Sequence, residues 1–264
     1  MNDQPEPHFI ATPGEEKIAY LRDTNATGDA CTSPIGAVWL GGFKSDMTGT
    51  KASTLADWAR TSRRDYLRFD YFGHGQSSGA FVEGTISRWL DDALTMLDEI
   101  ATGPQVLIGS SMGAWIALLA ALARPDKIKG LVLIAPAPDF TEKLMWAGFD
   151  ENIRALLETE GVYQQPSDYD EPYEINYGLI KDGRNHLLLD DEIKLDLPVH
   201  ILQGMADPDV PWQHALLLAE RLSSKDLTVV LSKTGDHRLS EPEDLNRLTA
   251  TLDELLAKLE GSNF

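Results

Sequence analysis

The chain of 264 residues has almost no cysteine. Cys31 is its only cysteine, so no disulfide can form within the chain and nothing indicates an oxidising compartment. Cys31 lies in a polar stretch, away from any motif that contains histidine. We expect it to have no catalytic role.

Positive charge and long apolar segments are also scarce. Lysine and arginine number 23 against 42 aspartates and glutamates, which gives a formal net charge of −19. This excess of negative charge argues against nucleic acid and anionic membrane surfaces as partners. The longest apolar run, residues 114–123, is too short to cross a bilayer, so no membrane span is expected.

No targeting segment is recognisable in the sequence. The residues before Lys17 contain no lysine or arginine and no apolar stretch. Secretory signals need both features, and transit peptides are basic and poor in acidic residues. A cytoplasmic protein is therefore expected, with its oligomeric state left open.

What the chain does contain is a regular alternation of apolar strands and helices. After an opening hairpin at 8–12 and 17–22, the pattern predicts strands at 35–40, 65–71, 105–109, 128–135, 198–203 and 227–231. Helices are predicted at about 51–63, 85–101, 112–123, 212–222 and 242–259. Such alternation is typical of an α/β fold with a mostly parallel sheet and helices on both faces.

The alternation stops between residues 137 and 197. This stretch carries tryptophan, phenylalanine and tyrosine among charged residues, and no buried strand is predicted in it. An insertion of this size at the carboxyl end of a strand is typical of a small, mainly helical cap over a site. The predicted organisation is a core of residues 1–136 and 198–264 with a cap of residues 137–197.

The most informative motif is Gly109-Ser110-Ser111-Met112-Gly113, between an apolar strand and a helix rich in alanine and leucine. This is the G-x-S-x-G pattern of a nucleophile elbow, a turn so sharp that its flanking positions must lack bulk. The turn lifts the Ser111 hydroxyl clear of the sheet. Ser111 is therefore the predicted nucleophile.

A serine hydroxyl needs a base to take its proton, and the base needs a carboxylate to orient it. Asp207 follows the strand at 198–203 and His237 follows the strand at 227–231, in the chain order that this elbow requires. Asp209 and Asp139 remain alternatives for the acid. None of the other histidines follows the last strand: His8, His74, His186, His200 and His214.

Negative charge that develops on an attacked carbonyl oxygen needs donors placed in advance. The backbone N–H groups of Met112 and Phe43 are the predicted oxyanion donors, because Gly41 and Gly42 let the loop after the 35–40 strand approach closely. Gly42, Trp146 and Trp212 are predicted to contact substrate. No metal or cofactor is expected, since no histidine and carboxylate set lies at metal-ligand spacing.

Together these pieces resemble the α/β-hydrolase superfamily over nearly the whole chain. The matching segments are residues 40–43, 69–77, 109–113, 203–211 and 235–237. A narrower resemblance is to the palmitoyl-protein thioesterase and acyl-glucuronide esterase family of animal mitochondria. It rests on residues 47–52, 103–115, 123–127, 204–207, 210–212 and 236–238. Both imply an α/β-hydrolase fold with Ser111, Asp207 and His237 as catalytic residues.

The predicted function is cleavage of a small-molecule carboxylic ester or thioester through an acyl-Ser111 intermediate. The aromatic cap favours a medium or long acyl group. A C–C hydrolase, a lyase or a peptidase of the same fold remains an alternative, because fold alone does not determine the substrate. A catalytically silent binding protein of the same fold is the alternative from another class.

Overall fold

An eight-stranded sheet forms the centre of the computed structural model, which describes residues 6–12, 16–23, 35–165 and 173–261. In chain order the strands are β1 (His8–Ala11), β2 (Lys17–Asp23), β3 (Gly36–Leu40), β4 (Tyr66–Phe69), β5 (Gln105–Ser110), β6 (Ile128–Ile134), β7 (Val162–Gln165), β8 (Tyr173–Asn176), β9 (Val199–Gly204) and β10 (Leu227–Ser232). Cys31 and most of the turn in the opening hairpin lie outside the described residues.

The described α-helices follow the predicted alternation with the strands. They are α1 (Thr50–Ser62), α2 (Ile86–Thr95), α3 (Met112–Ala123), α4 (Glu151–Glu160), α5 (Tyr177–Gly183), α6 (Trp212–Arg221) and α7 (Pro242–Gly261). The helix expected at 85–101 is α2 followed by a π-helical turn, Met96–Ile100. The other helices predicted for the core are present within a few residues of the predicted bounds.

The large sheet has the order β1-β2-β4-β3-β5-β6-β9-β10. Strand β2 pairs antiparallel with both β1 and β4. From β4 to β10 in this order, all adjacent strands pair parallel. This arrangement confirms the predicted α/β-hydrolase fold with a mostly parallel sheet. The carboxyl ends of β5, β6, β9 and β10 therefore lie along one edge, where loops from distant parts of the chain can meet.

Apolar side chains on both faces of the central strands make the core. In β5, Leu107 belongs to a cluster shared with α2, α3 and α6, whereas Val106 and Ile108 belong to a second cluster shared with α1 and α7. Successive side chains of a strand point to opposite faces, so one apolar strand supplies both clusters. The helices accordingly cover the sheet on two sides.

The insertion at 137–197 contains one feature that the sequence pattern did not predict. Besides a π-helical segment (Thr141–Trp146), α4 and α5, it holds a small antiparallel sheet made by β7 and β8. Each of these strands is four residues long and mostly polar, so it lacks the apolar run that marks a buried strand. The described part of residues 137–197 is thus mainly helical with a two-stranded sheet, and its role as a cap stays a prediction.

Among the residues that the structure describes, no helix combines the length and the apolar character needed to cross a membrane.

One charged side chain lies inside the core on α2. Asp92 is 2% exposed, accepts the N–H of Phe72 at 2.7 Å and lies 3.5 Å from the Arg88 guanidinium. Burial raises the pKa of Asp92 from 3.8 to about 6, against the opposing effects of Phe72 and Arg88. Since the folded state then binds this proton more tightly than the unfolded chain, the contribution of Asp92 to stability falls as pH rises from about 4 to 6.

Asp92→Asn should remove this pH dependence because the amide does not ionise. The free energy of unfolding of the variant, relative to wild type, should rise by up to about 3 kcal/mol between about pH 4 and pH 7. Urea unfolding at both pH values measures the change. Asp91→Asn, at the exposed neighbouring position, is the matched control. A relative stability of Asp92→Asn that stays constant with pH would contradict this account.

Candidate active site

Ser111 occupies the strained turn between β5 and α3. Its backbone has φ 54° and ψ −118°, a conformation that residues other than glycine rarely adopt. At Gly113 a Cβ atom would lie 2.0 Å from the Leu40 carbonyl oxygen, so only glycine fits there. The N–H of Ser111 donates to the Ile134 carbonyl at 2.9 Å, which fixes the turn to the end of β6.

The loops after β9 and β10 are joined where they leave the sheet. The N–H of Ala206 donates to the Gly235 carbonyl at 3.0 Å, and the N–H of Met205 donates to Ser232 at 2.8 Å. A Cβ atom at Gly204 would lie 2.3 Å from the Gly235 oxygen. Glycine at this position therefore allows the His237 loop to approach the Asp207 loop.

Three side chains from these loops form one hydrogen-bonded chain. His237 Nε2 lies 3.1 Å from Ser111 Oγ, and His237 Nδ1 lies 2.8 Å from Asp207 Oδ2. A carboxylate only accepts, so Nδ1 carries the proton and Nε2 is left to accept from the serine hydroxyl. The structure thus brings Ser111, Asp207 and His237 together in one hydrogen-bonded chain, and their catalytic roles stay a prediction.

The environment of Asp207 favours its charged form. Burial raises the pKa of this carboxyl, but the hydrogen bond with His237 and the N–H groups of Val210 and Asp209 together lower the pKa below its usual value. Both N–H groups donate to Asp207 Oδ1 at 2.8 Å, and the side chain is fully buried. Asp207 is therefore a negative charge fixed beside the imidazole.

Gln203 is a further member of the site that sequence reasoning gave no role. Its Nε2 donates to Asp207 Oδ2 at 3.1 Å, and also to the carbonyls of Gly204 and Val210. The three acceptors determine the orientation of the amide, which leaves Oε1 buried without a hydrogen-bond partner. The available signal was its place at the end of β9, four residues before Asp207.

The predicted oxyanion donors come from the start of α3 and from the loop after β3. Met112 is the first residue of α3, so its N–H has no partner within the helix. A Cβ built on Gly42 would lie 3.5 Å from Ser111 Cβ, which places the loop after β3 directly beside Ser111. The Phe43 ring packs edge-on against Phe81 at 4.7 Å.

The two predicted tryptophans lie in different surroundings. Trp146 is in the cap, stacked on Tyr177 at 5.6 Å, with the guanidinium groups of Arg184 and Arg154 at 4.9 and 5.5 Å from its ring centre. Trp212 is the first residue of α6, five positions after Asp207, and is half-buried. Their contact with substrate stays a prediction.

The alternative carboxylates have other partners. Asp209 is exposed, and its N–H donates to Asp207. Asp139 is fully buried and accepts the N–H groups of Leu188 and Leu189 at 2.8 and 2.9 Å, so it holds the end of the cap insertion. Neither carboxylate takes the place of Asp207 beside His237.

Three residues at this site have side chains of the types that bind metal ions. Among the described residues, Asp207, Asp209 and His237 each bring one ligand atom within 4.8 Å of the others. Two of these residues already share a hydrogen bond, and exposed acidic groups often lie close to others without an ion. The expectation of no metal and no cofactor stays a prediction.

Comparisons with known proteins agree with this architecture. The family described as serine aminopeptidase S33 matches residues 46–162. The mitochondrial palmitoyl-protein thioesterase ABHD10 of Homo sapiens is 38% identical over 95% of this chain and 80% of its own length. Among solved structures, a hydrolase from Agrobacterium vitis S4 has 41% identity and a TM-score of 0.89, covering 96% of this chain and 100% of that one. The ABHD10 structure from mouse has 35% identity and a TM-score of 0.86, with 96% and 99% coverage.

A mostly parallel sheet with a serine on a strained strand-to-helix turn defines a serine hydrolase of the α/β-hydrolase fold. The 38% identity to human ABHD10 along 95% of the chain identifies the family within this class of hydrolases. The chain belongs to the ABHD10 palmitoyl-protein thioesterase family of α/β-hydrolases. It is a hydrolase of carboxylic esters or thioesters, and the acyl-serine mechanism is general for the fold.

The expectation of a cytoplasmic protein is wrong. The ABHD10 relatives from Bos taurus and Homo sapiens are mitochondrial by name, which points to a mitochondrial rather than a cytoplasmic location. The expectation rested on the lack of a recognisable targeting segment before Lys17, and that lack carries no information about location.

Gly204→Ala should separate the two loops that form the site. Its new Cβ must displace the Gly235 backbone, so the His237 hydrogen bonds should lengthen and kcat/KM should fall by about 10²-fold. Hydrolysis of a p-nitrophenyl ester measures the loss. Gly148→Ala is the matched control, because a Cβ there would meet nothing within 4 Å. Wild-type kinetics in folded Gly204→Ala would show that the close contact does not position His237.

Proposed function

We propose that the chain cleaves acyl thioesters or esters with Ser111 as nucleophile, His237 as general base and Asp207 as the residue that orients His237. The observation that carries this proposal is the position of the imidazole, 3.1 Å from Ser111 Oγ and 2.8 Å from Asp207 Oδ2. One side chain can then take the serine proton while its own charge is stabilised.

The reaction has two halves. Ser111 Oγ attacks the acyl carbon and its proton passes to His237 Nε2; the tetrahedral intermediate then expels the thiol or alcohol, which takes that proton. Water next attacks the acyl-Ser111 carbonyl and gives one proton to Nε2. That proton returns to Ser111 Oγ as the carboxylic acid leaves. Asp207 remains ionised throughout.

The intermediate in each half carries negative charge on the former carbonyl oxygen. The N–H groups of Met112 and Phe43 are the proposed donors to that oxygen. Their support is the place of Met112 at the start of α3, where the helix dipole favours an anion, and the closeness of Gly42 to Ser111, where a Cβ atom on Gly42 would lie 3.5 Å from Ser111 Cβ.

A long, apolar acyl chain is the proposed substrate class, with residues 137–197 as the cap that receives it and the rest of the chain as the core. The cap has its own cluster of buried apolar residues. Phe43 and Met145 pack against both that cluster and the core, so apolar contact is continuous from the Ser111 loop into the cap. The relatives are named palmitoyl-protein thioesterases, which agrees with this class.

Ser111→Ala should abolish labelling by a fluorophosphonate probe and all ester hydrolysis, because in the described part of the chain His237 is hydrogen-bonded to no other hydroxyl. Asp207→Asn should lower kcat by about 10⁴-fold, since the amide favours the wrong imidazole tautomer. Ser110→Ala, the same change one residue away, is the control and should still label. Labelling of Ser111→Ala, or no turnover of any ester or thioester by wild type, would refute the assignment.

The length of the substrate's acyl chain should separate the contributions of core and cap to substrate binding. Trp146→Ala should raise KM for a palmitoyl thioester by about 5-fold, because only a long acyl chain reaches the cap. KM for an acetyl thioester should stay within about twofold of the wild-type value. Steady-state kinetics on an acyl-length series measures this. An equal effect on both substrates would place Trp146 outside the acyl site. Turnover of a p-nitroanilide but of no thioester would favour the peptidase alternative.

A further inference from the structure

We propose that His74 is a positioning residue that fixes the orientation of the Phe43 peptide groups in the oxyanion site. This inference rests on the proposed function of Phe43. His74 was among the histidines for which the sequence suggested no role. It lies in the turn after β4 and is 3% exposed, away from the Ser111–His237–Asp207 chain.

Both ring nitrogens of His74 bind backbone groups. Its Nδ1 lies 3.0 Å from the Phe72 carbonyl oxygen, and its Nε2 lies 3.2 Å from the backbone nitrogen of Lys44. The carbonyl requires a proton on Nδ1, and the Lys44 N–H requires a lone pair on Nε2. A neutral imidazole of one tautomer satisfies both partners at once.

The bond to Lys44 determines one of the two peptide planes beside Phe43. Lys44 has φ 56°, a left-handed conformation that a long side chain adopts at a cost of about 1 kcal/mol or more. Such a conformation persists only where the surroundings determine it. The N–H of Lys44 belongs to the peptide group that follows Phe43, so its bond to His74 holds that group against rotation.

The other peptide plane is fixed from its carbonyl end. The oxygen of Gly42 accepts the N–H of Ser45 at 3.1 Å and the Ser45 hydroxyl at 2.9 Å. In a trans peptide the N–H points away from the oxygen, so these bonds direct the Phe43 N–H to the side opposite Ser45. Together, His74 and Ser45 define the direction of the proposed donor.

The imidazole is itself held rigidly. The Phe72 carbonyl that it binds also accepts Trp89 Nε1 at 3.1 Å, and the Phe72 N–H donates to the Asp92 carboxylate. Phe81 and Trp89 pack edge-on against the His74 ring at 5.0 and 5.3 Å. The same two rings also pack against Phe43. Phe81 and Trp89 therefore hold both the His74 ring and the Phe43 ring in place.

Burial keeps the acceptor on Nε2 available. It lowers the pKa of His74 to about 4, although the Phe72 carbonyl acts in the opposite direction. Near neutral pH the ring is therefore uncharged and can accept. Phenylalanine would fill the same space but offers no lone pair, which gives a physical reason for histidine at this position.

Two polar variants separate the two contacts of His74. Asn reaches only as far as the Nδ1 position, so His74→Asn should lose the bond to Lys44; Gln reaches the Nε2 position, so His74→Gln should keep much of it. The expected loss in kcat is about 10²-fold for His74→Asn and about 10-fold or less for His74→Gln, with KM nearly unchanged. His74→Phe is a second variant without the acceptor, should His74→Asn fail to fold.

The measurement must exclude a loss of folded enzyme. Rates are therefore expressed per site titrated with fluorophosphonate, and Ki for a trifluoromethyl ketone, which forms a tetrahedral adduct, is measured in parallel. In His74→Asn the Ki should rise by the same factor as kcat/KM falls, because only the oxyanion contact is lost. His200→Asn, at another buried histidine, in β9, is the control. Its kcat/KM and Ki should stay within about twofold of the wild-type values.

A kcat per titrated site that matches wild type in His74→Asn or His74→Phe would overturn the inference. So would equal losses in the Asn and Gln variants, or a Ki that does not change. Failure of the proposed function has a different signature, because wild type itself would then neither label at Ser111 nor hydrolyse a thioester.

Discussion

The site depends on one imidazole that spans the distance between a serine and a carboxylate. His237 is 126 positions from Ser111 and 30 from Asp207 along the chain, yet bonds to both at about 3 Å. A displacement of one ångström in any of three loops would break the connection. The sheet meets this demand because β5, β6, β9 and β10 are adjacent parallel strands whose carboxyl ends share an edge.

Strained backbone around the serine is supported by the packing of the core. Ser111 and Lys44 both have positive φ, and each lies next to a proposed oxyanion donor. Such conformations are unfavourable by themselves, so they depend on surroundings that permit no alternative. For Ser111 that constraint comes from the start of α3 and from the bond of its N–H to the Ile134 carbonyl, and for Lys44 it comes from the bond of its N–H to the His74 ring.

Sequence reasoning succeeded where a motif or a period carries physical meaning and failed where contact is made only in three dimensions. The elbow and the parallel core followed from small residues at Gly109 and Gly113 and from apolar strands. Gln203 and His74 were given no role from the sequence, because their partners are distant along the chain or are backbone atoms, and no local pattern records such contacts. The short strands β7 and β8 were not predicted because their residues are mostly polar.

The amino-acid sequence by itself determined the class of fold, the serine at the elbow and the order of the predicted acid and base, because apolar periodicity and turn chemistry are local properties. Tertiary structure alone decided that Asp207 rather than Asp209 or Asp139 lies beside His237, that Gln203 supports it, and that His74 reaches Lys44. These outcomes depend on distances of a few ångströms between loops, and such distances exist only after the sheet has brought its strand ends together.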